Sequence, residues 1–494
     1  MPASSIRTST MPASPRAASA AEAWLFRGLV ALVALAPLPL GSNRPLPAAL
    51  LSLFAGLLLI GWALLAMFRP SASGGVIRRL RGPFLLFAAV TLWIAAQSAP
   101  LPFASWGDPL WAEASAALAQ DLAPRISIDP SATRAALSNL LAYGAVFWLA
   151  LYLGRAPERA AQARRAIIAI GSFYAVYGLF AFFGGAHWVF GQLLATHPDA
   201  LISTFVNRNS FATFAGLALL PAVSVFLERI RHILALARPA RQKAALVIET
   251  MVFQSGWMTA AMLTIALALF LTASRGGIVA TLVALAALTM LQLRSSAGAG
   301  NRRGPIALLI LIVVGIALVI GGGNFIDRIE RQGLSLDNDL RSTIFTTTIE
   351  AIRTTPWTGT GAGTYAQAIE AYRLNDPDIF MLWEKAHNSY LENALELGLP
   401  AALALNLAIL WLAAICFRGV RERRRDRAYP ALGVAATLLV GLHALVDFSL
   451  QIPAVAVLYA FMMGLAIAQS APSRKRRAAT AEQGAGEASG AERG

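Results

Sequence analysis

The sequence predicts an all-α integral membrane protein of about twelve transmembrane helices, with both termini cytoplasmic and a large periplasmic loop between spans nine and ten. Three observations carry this. Of 494 residues, 57% are hydrophobic and only 14% are charged, against roughly 25% charged in an ordinary soluble domain. The mean hydropathy is +0.60. The net charge of +15 lies in short basic clusters between long apolar runs, which is the pattern of cytoplasmic loops. A chain this basic would otherwise suggest nucleic acid, and the alternation with apolar runs argues against that partner. One cysteine, Cys416, excludes a disulfide framework and any cysteine-based metal site.

The elements follow in order. Residues 1–22 are rich in Ala, Ser, Pro and Thr and read as a disordered cytoplasmic leader. The first apolar run resembles a signal peptide, but its A-x-A site, Ala34 to Ala36, precedes Pro37. That is a poor cleavage site, so the run is kept as a span. Crossing about 30 Å of hydrocarbon takes about 20 apolar residues. Twelve segments qualify: 24–42, 46–68, 83–100, 136–154, 166–185, 209–228, 249–272, 277–293, 305–323, 399–417, 430–448 and 451–470. Helices one to nine thus occupy 23–323, the loop 324–398, and helices ten to twelve 399–470. The segment 471–494 reads as a disordered cytoplasmic tail. Glu249 to Arg294 contains a single charge, Arg275. As one helix it would run about 67 Å at 1.5 Å per residue, roughly twice the bilayer. The chain must turn, and Ser274-Arg275-Gly276-Gly277 is the turn chemistry available.

Orientation follows from the bases. With the N-terminus inside, 30 of the 41 Lys and Arg residues fall in cytoplasmic segments and 11 outside, as the positive-inside rule requires. Three outer loops are long: 101–135, 186–208 and 324–398.

Ion- or proton-coupled transporters place charge near the midplane. Here the spans are nearly free of charge, and the distinctive polar residues gather at outer helix ends and in the last loop. Ser203 to Ser210 leads into span six. Asn209 or Ser210 fits a helix cap, but capping leaves Arg208 unexplained. A cation at the positive end of a helix is disfavoured unless an anion binds there. Arg275 reads either as a snorkelling interfacial base or as a ligand-facing cation, since its two flanking glycines allow close backbone approach. Arg341 opens a helical stretch to Arg353. The run Pro356 to Gly363 lacks the strand and Lys-Ser/Thr of a phosphate loop and reads more simply as a flexible connector. In His387 to Gly398, Ser389 with Glu392 forms a capping box for a short helix over 390–397, and Gly398 and Pro400 mark its stop and the next start. His387 precedes that helix, where the dipole favours a neutral imidazole able to accept a proton. His443 and Asp447, four apart, share one face of span eleven. They suit a buried hydrogen bond and are too few for a metal site.

In this order, Thr204 to Asn209, Ser274 to Gly277, Arg341, Pro356 to Gly363, His387-Asn388-Ser389-Tyr390-Leu391-Glu392 with Glu396 to Gly398, and Asp447 resemble the O-antigen ligase/polymerase superfamily of bacterial membrane glycosyltransferases. The resemblance covers about 130 to 470. It implies a multi-pass enzyme of the inner membrane working on the periplasmic face without metal or other cofactor. A glycan moves from an undecaprenyl diphosphate carrier to an acceptor hydroxyl. The acceptor is lipid A–core for ligases and the next lipid-linked repeat for polymerases. It implies that Arg275 and Arg341 bind the diphosphate and that His387 acts at the acceptor or sugar. Asn207, Arg208, Asn209, Asn388, Glu392 and Asp447 are then the expected substrate-binding residues, with membrane lipids as surroundings. A transporter of lipid-linked glycans is the rival class. It would line a path through the spans with bases, which the sequence does not show.

Overall fold

The structure is a computed structural model describing residues 15–68, 74–184, 188–189, 192–193, 200–234, 236, 238–250, 256–293, 334–373, 383–423 and 427–471. It is helical apart from one small hairpin, in which Trp188–Val189 pairs with Gln192–Leu193. The helices are α1 (Pro15–Leu35), α2 (Pro45–Phe68), α3 (Gly74–Ser98), α4 (Leu110–Leu118), α5 (Pro130–Leu153), α6 (Pro157–Phe183), α7 (Arg208–Leu234), α8 (Ala240–Glu249), α9 (Gly256–Leu271) and α10 (Arg275–Leu293). They continue with α11 (Leu334–Thr354), α12 (Tyr365–Arg373), α13 (Ser389–Leu397), α14 (Leu399–Glu422), α15 (Ala428–His443) and α16 (Pro453–Ala468).

Seven of the described helices are long and apolar enough to cross a membrane: α2, α5, α6, α7 and α14, and the apolar parts of α3 and α10. Helices α9, α15 and α16 are apolar but shorter. Helices therefore stand at eleven of the twelve expected positions, and the ninth, 305–323, lies outside the described residues. Several boundaries move. Helix α1 starts at Pro15, inside the expected leader, because the Ala-rich stretch favours helix and Glu22 pairs with Arg159 at 2.8 Å. The remaining leader, 1–14, and the tail from 472 lie outside the described residues. Helix α5 begins six residues early, where the Asp129 side chain accepts the Ser131 and Ala132 amides and Pro130 takes the first helical position, a strong start signal.

The innermost helix is α16. All sixteen of its residues are buried, as expected of a helix apolar on every side. It packs on α5 and α15 and also meets α7, α14 and α1. Gly464 permits the α5 contact, since a Cβ there would lie 2.4 Å from the Phe147 carbonyl oxygen. At the periphery α2 exposes Leu46, Leu50, Leu53, Phe54, Leu57, Ile60 and Leu64, an apolar face suited to lipid tails rather than water.

The turn between α9 and α10 falls at Thr272, Ala273 and Ser274, two residues before the expected place. Ala273 is left-handed, with φ of 51°, and the Ser274 hydroxyl accepts the Gly277 amide. Ser274 thus caps α10, and Gly276 and Gly277 are helical residues. Their smallness serves packing: a Cβ on Gly276 would lie 2.9 Å from Val446 and 3.1 Å from the His443 ring.

The expected loop 324–398 carries α11, α12 and α13, which share a second apolar core. Ile344, Ala351, Tyr365, Ile369, Trp383, Leu395 and Leu397 pack there with Val90 and Ile94 of α3 and Ala402 of α14. The glycine run is not a flexible connector. Leu399 N–H donates to the Pro356 carbonyl, Thr360 N–H to Leu395, and Gly361 N–H to Glu396. The Gln97 amide at the end of α3 donates to the carbonyls of Thr358 and Glu396. Gly359 has φ of +67°, and its Cβ would stand 2.4 Å from the Glu396 carbonyl oxygen. A left-handed backbone at such close approach admits glycine alone.

Candidate active site

One end of the bundle gathers the starts of α5, α7, α10, α14 and α16 with the ends of α3 and α15. Asn207 caps α7, its side chain accepting the Asn209 amide at 2.7 Å. The cap is therefore neither Asn209 nor Ser210, because the Asn209 side chain is engaged by Asp447 and Ser274. Arg208 becomes the first helical residue and is half-buried. Asn209 is released to bridge two other segments. Its Nδ2 donates to Asp447 Oδ1 at 3.2 Å, and its Oδ1 accepts the Ser274 hydroxyl at 2.8 Å. The helix starts that carry Arg208 and Arg275 are thus joined through a single amide. Arg275 is itself exposed, at the first position of α10.

Asp447 is fully buried. Helix α15 ends at His443, so His443 and Asp447 do not share a helical face. The segment that opens α13 bonds the carbonyls at this end: Tyr390 Oη donates to Gly441 O at 2.9 Å, Ser389 N–H to Ala444 O at 2.9 Å, and Asn388 Nδ2 to Leu445 O at 3.1 Å. The two side chains are connected indirectly. The Ser449 hydroxyl donates to Asp447 Oδ2, Thr213 Oγ1 donates to Ser449 at 2.9 Å, and Thr213 lies 2.6 Å from His443 Nδ1. His443 is buried in this network.

His387 faces the same point from the other side. Its Nδ1 lies 4.0 Å from Asp447 Oδ1, and its side chain is 32% exposed, so one side of the ring is open. The ring meets Phe448 edge-on with centroids 5.0 Å apart. Its backbone is left-handed, φ of 51°. The helix that follows is capped by Asn388, whose Oδ1 accepts the Tyr390 and Leu391 amides. Ser389 is not the cap of a capping box. It is the first helical residue, and its hydroxyl donates to Asp447 O and Gln451 Oε1. The imidazole thus stands between the start of α13 and the Asp447 side chain.

Glu392 lies inside, fully buried. Its Oε1 accepts Lys385 Nζ at 2.9 Å, and its Oε2 accepts the Ala386 amide at 3.1 Å. One turn on, Glu396 accepts the Tyr365 amide at 3.0 Å. Burial, with the Glu392 charge next, pushes the Glu396 carboxyl up to about 7. Burial opposes the Lys385 ammonium, but Glu392 and Glu396 beside it hold it charged.

The sign of the resulting pH dependence is fixed. Between an ordinary carboxyl value of 4.5 and about 7, the folded chain keeps a proton that the unfolded chain has lost. Stability therefore falls as pH rises through that interval, by at most about 3 kcal/mol. Glu396→Gln keeps an acceptor for Tyr365 and removes the titration. Its thermal midpoint should stay level from pH 5.5 to 8, while that of the wild type declines. Parallel curves would remove Glu396 from this role.

Arg341 lies in α11, which packs on α13; its side chain is outside the described residues. The structure thus brings together Asn207, Arg208, Asn209, the start of α10, His387, Asn388 and Asp447, with Glu392 behind them. The sequence reading missed Thr213, Ser449, Ser274 and Lys385 as partners. Thr213, four residues after Asn209, carried a usable signal, the helical repeat. Among the described residues, no three His, Cys, Asp or Glu side chains gather as a metal cluster.

Residues 260–406 match the family model described as O-antigen ligase. The match takes in Ser274 to Gly277, Arg341, the glycine run and His387 to Gly398. It supports the resemblance to the O-antigen ligase/polymerase superfamily and, with the apolar helices, a multi-pass membrane protein of glycosyltransferase type. Asn207 to Asn209 and Asp447 fall outside the matched segment. No curated protein matches the chain.

Proposed function

We propose that this protein is an O-antigen ligase-like glycosyltransferase of the bacterial inner membrane. It moves a glycan from undecaprenyl diphosphate to an acceptor hydroxyl, on lipid A–core or a similar lipid, at the periplasmic face. The observation that carries this reading is the Asn209 bridge, which ties the start of α7 and the start of α10 to Asp447 beside His387. It gathers two helix starts, each opening on an arginine, around one partly exposed imidazole.

The chemistry divides between them. The acceptor oxygen forms a bond to the anomeric carbon as the bond from that carbon to the diphosphate breaks. The electron pair goes to the phosphate oxygen. Arg275, Arg208 and Arg341 meet the charge that develops there, since a guanidinium matches phosphate oxygens in pairs. Fixed cations in a partly dry site are effective because they need no reorganisation. His387 takes the acceptor proton. The carrier's tail lies among the apolar helices while its head group reaches the loop.

Orientation is supported by the opposite end of the bundle, which is basic. There Arg155, Arg159, Arg164, Arg423 and Arg427 stand with Glu22, Glu228 and Gln469. In a Cys416→Ala background, Ala366→Cys should react with an impermeant thiol reagent in intact spheroplasts, and Glu422→Cys should not. The reverse labelling would invert the protein and remove the periplasmic site.

The function itself is tested with purified protein in liposomes given lipid-linked glycan. Release of undecaprenyl diphosphate with glycosylated lipid A–core is the ligase result. Longer lipid-linked chains without that acceptor mean a polymerase. Movement of intact carrier across the bilayer, with no release, means a transporter and overturns the proposal.

A further inference from the structure

His387 occupies a backbone conformation uncommon for a residue with a side chain, and something must hold it there. The segment after it is fixed by Asn388, which caps α13, and by the Ser389 amide on Ala444 O. The segment before it has a different anchor. Glu392 accepts the Lys385 ammonium with one oxygen and the Ala386 amide with the other. Those are the two residues immediately before His387. Glu392 has no exposed surface, so it faces protein and not the open side of the site.

A buried carboxylate spent on a loop amide is costly to leave unpaired. Here both oxygens are engaged and an ammonium balances the charge. The contact also closes a ring in the chain, in which residues 385 and 386 are tied to a side chain one turn into α13. With Asn388 fixed beyond, His387 is the one residue between two anchors. Its ring direction follows from their spacing.

We propose that Glu392 is a positioning residue for His387: from within α13 it clamps Lys385 and Ala386 and so sets where the imidazole leaves the chain. This moves Glu392 from the substrate-binding set to a place behind the site. The inference rests on the glycosyl-transfer reading for its kinetic arm only.

The test joins kinetics to a label. Glu392→Gln keeps the shape and one acceptor but loses the charge that holds Lys385. It should lower kcat by about tenfold or more with the KM for the lipid-linked donor within about twofold. In a His387→Ala background the same substitution should cost nothing further, because the residue it positions is gone. Reaction of His387 with diethyl pyrocarbonate, followed by peptide mass mapping, should change at least about threefold in Glu392→Gln, with His232 as the unaffected reference. Lys385→Met tests the same clamp from its other side and serves if Glu392→Gln fails to insert. A loss of kcat that adds to that of His387→Ala overturns the proposal, and so does an unchanged rate of His387 labelling. A wild type that releases no undecaprenyl diphosphate defeats the glycosyltransferase reading instead, and the labelling arm still decides the role of Glu392.

Discussion

Arg275→Ala is expected to lower glycan transfer by about 10²–10³-fold, the scale of losing one fixed charge partner in a preorganised site, while the protein stays inserted. The structure supplies both halves of this expectation. Arg275 is the first residue of α10 and is exposed, so its side chain is not part of the packed core. The helix start beneath it is held by the Ser274 cap and the Ser274–Asn209 bond, which do not involve the guanidinium. A cation at the positive end of a helix is unfavourable by itself, and a bound diphosphate reverses that penalty. Arg275→Lys should recover little, since an ammonium lacks the paired geometry. Insertion is read from membrane fractionation and transfer from released undecaprenyl diphosphate. Near-normal transfer in Arg275→Ala would return this residue to an interfacial anchor. Arg341→Ala carries the same expectation with a smaller effect, because Arg353 shares its helix.

His387→Ala should cut the rate by about 10²–10⁴-fold, the usual contribution of a positioned general base, with donor affinity largely kept. In the proposed division of labour, arginines hold the diphosphate and the imidazole meets the acceptor. A ring that must accept a proton works only while neutral, so the wild-type rate should fall as pH drops through the range in which an imidazole gains its proton. His387→Asn keeps the polarity and loses the base. Full activity in His387→Asn with a flat profile from pH 5 to 8 would move acceptor activation elsewhere, and the Asp447 carboxylate beside the ring would be the group to examine. Weakened donor binding in His387→Ala would make this residue a sugar or diphosphate contact.

The helices were largely legible because apolar runs of bilayer length announce themselves, and alternation of the spans led to the expectation that the candidate residues share one end. What was not legible turned on competition among neighbours for the same hydrogen bond. Asn209 or Ser210 was the expected cap of α7, and Asn207, with an equally suitable side chain, takes that place. The choice was made by Ser274 and Asp447, which are 65 and 238 residues from Asn209. The same holds for the end of α15. The sequence beyond it stays apolar from Ala444 through Val446, and it stops at His443, where the Tyr390 hydroxyl of α13 takes the Gly441 carbonyl that the next helical amide would need. The glycine run looked like a connector because nothing local distinguishes a free glycine from one pressed against a carbonyl. The Gln97 side chain and the backbones of α13, Leu399 and Ile128, brought together beside the second core, reveal its use.

The burial of α16 has a consequence for how the molecule comes into being. The last helix of the described chain is the innermost, and its main partner α5 is finished about 300 residues earlier. At ribosomal speeds of ~5–20 residues per second, that is roughly 15–60 seconds in which α5 waits for its neighbour. During that interval the groove that will receive Gly464 must be filled by lipid or by the insertion machinery. Assembly is thus completed by a late arrival that packs on α5, α15, α7, α14 and α1, and a ribosome that stalls in the α15–α16 turn leaves the faces that receive it uncovered.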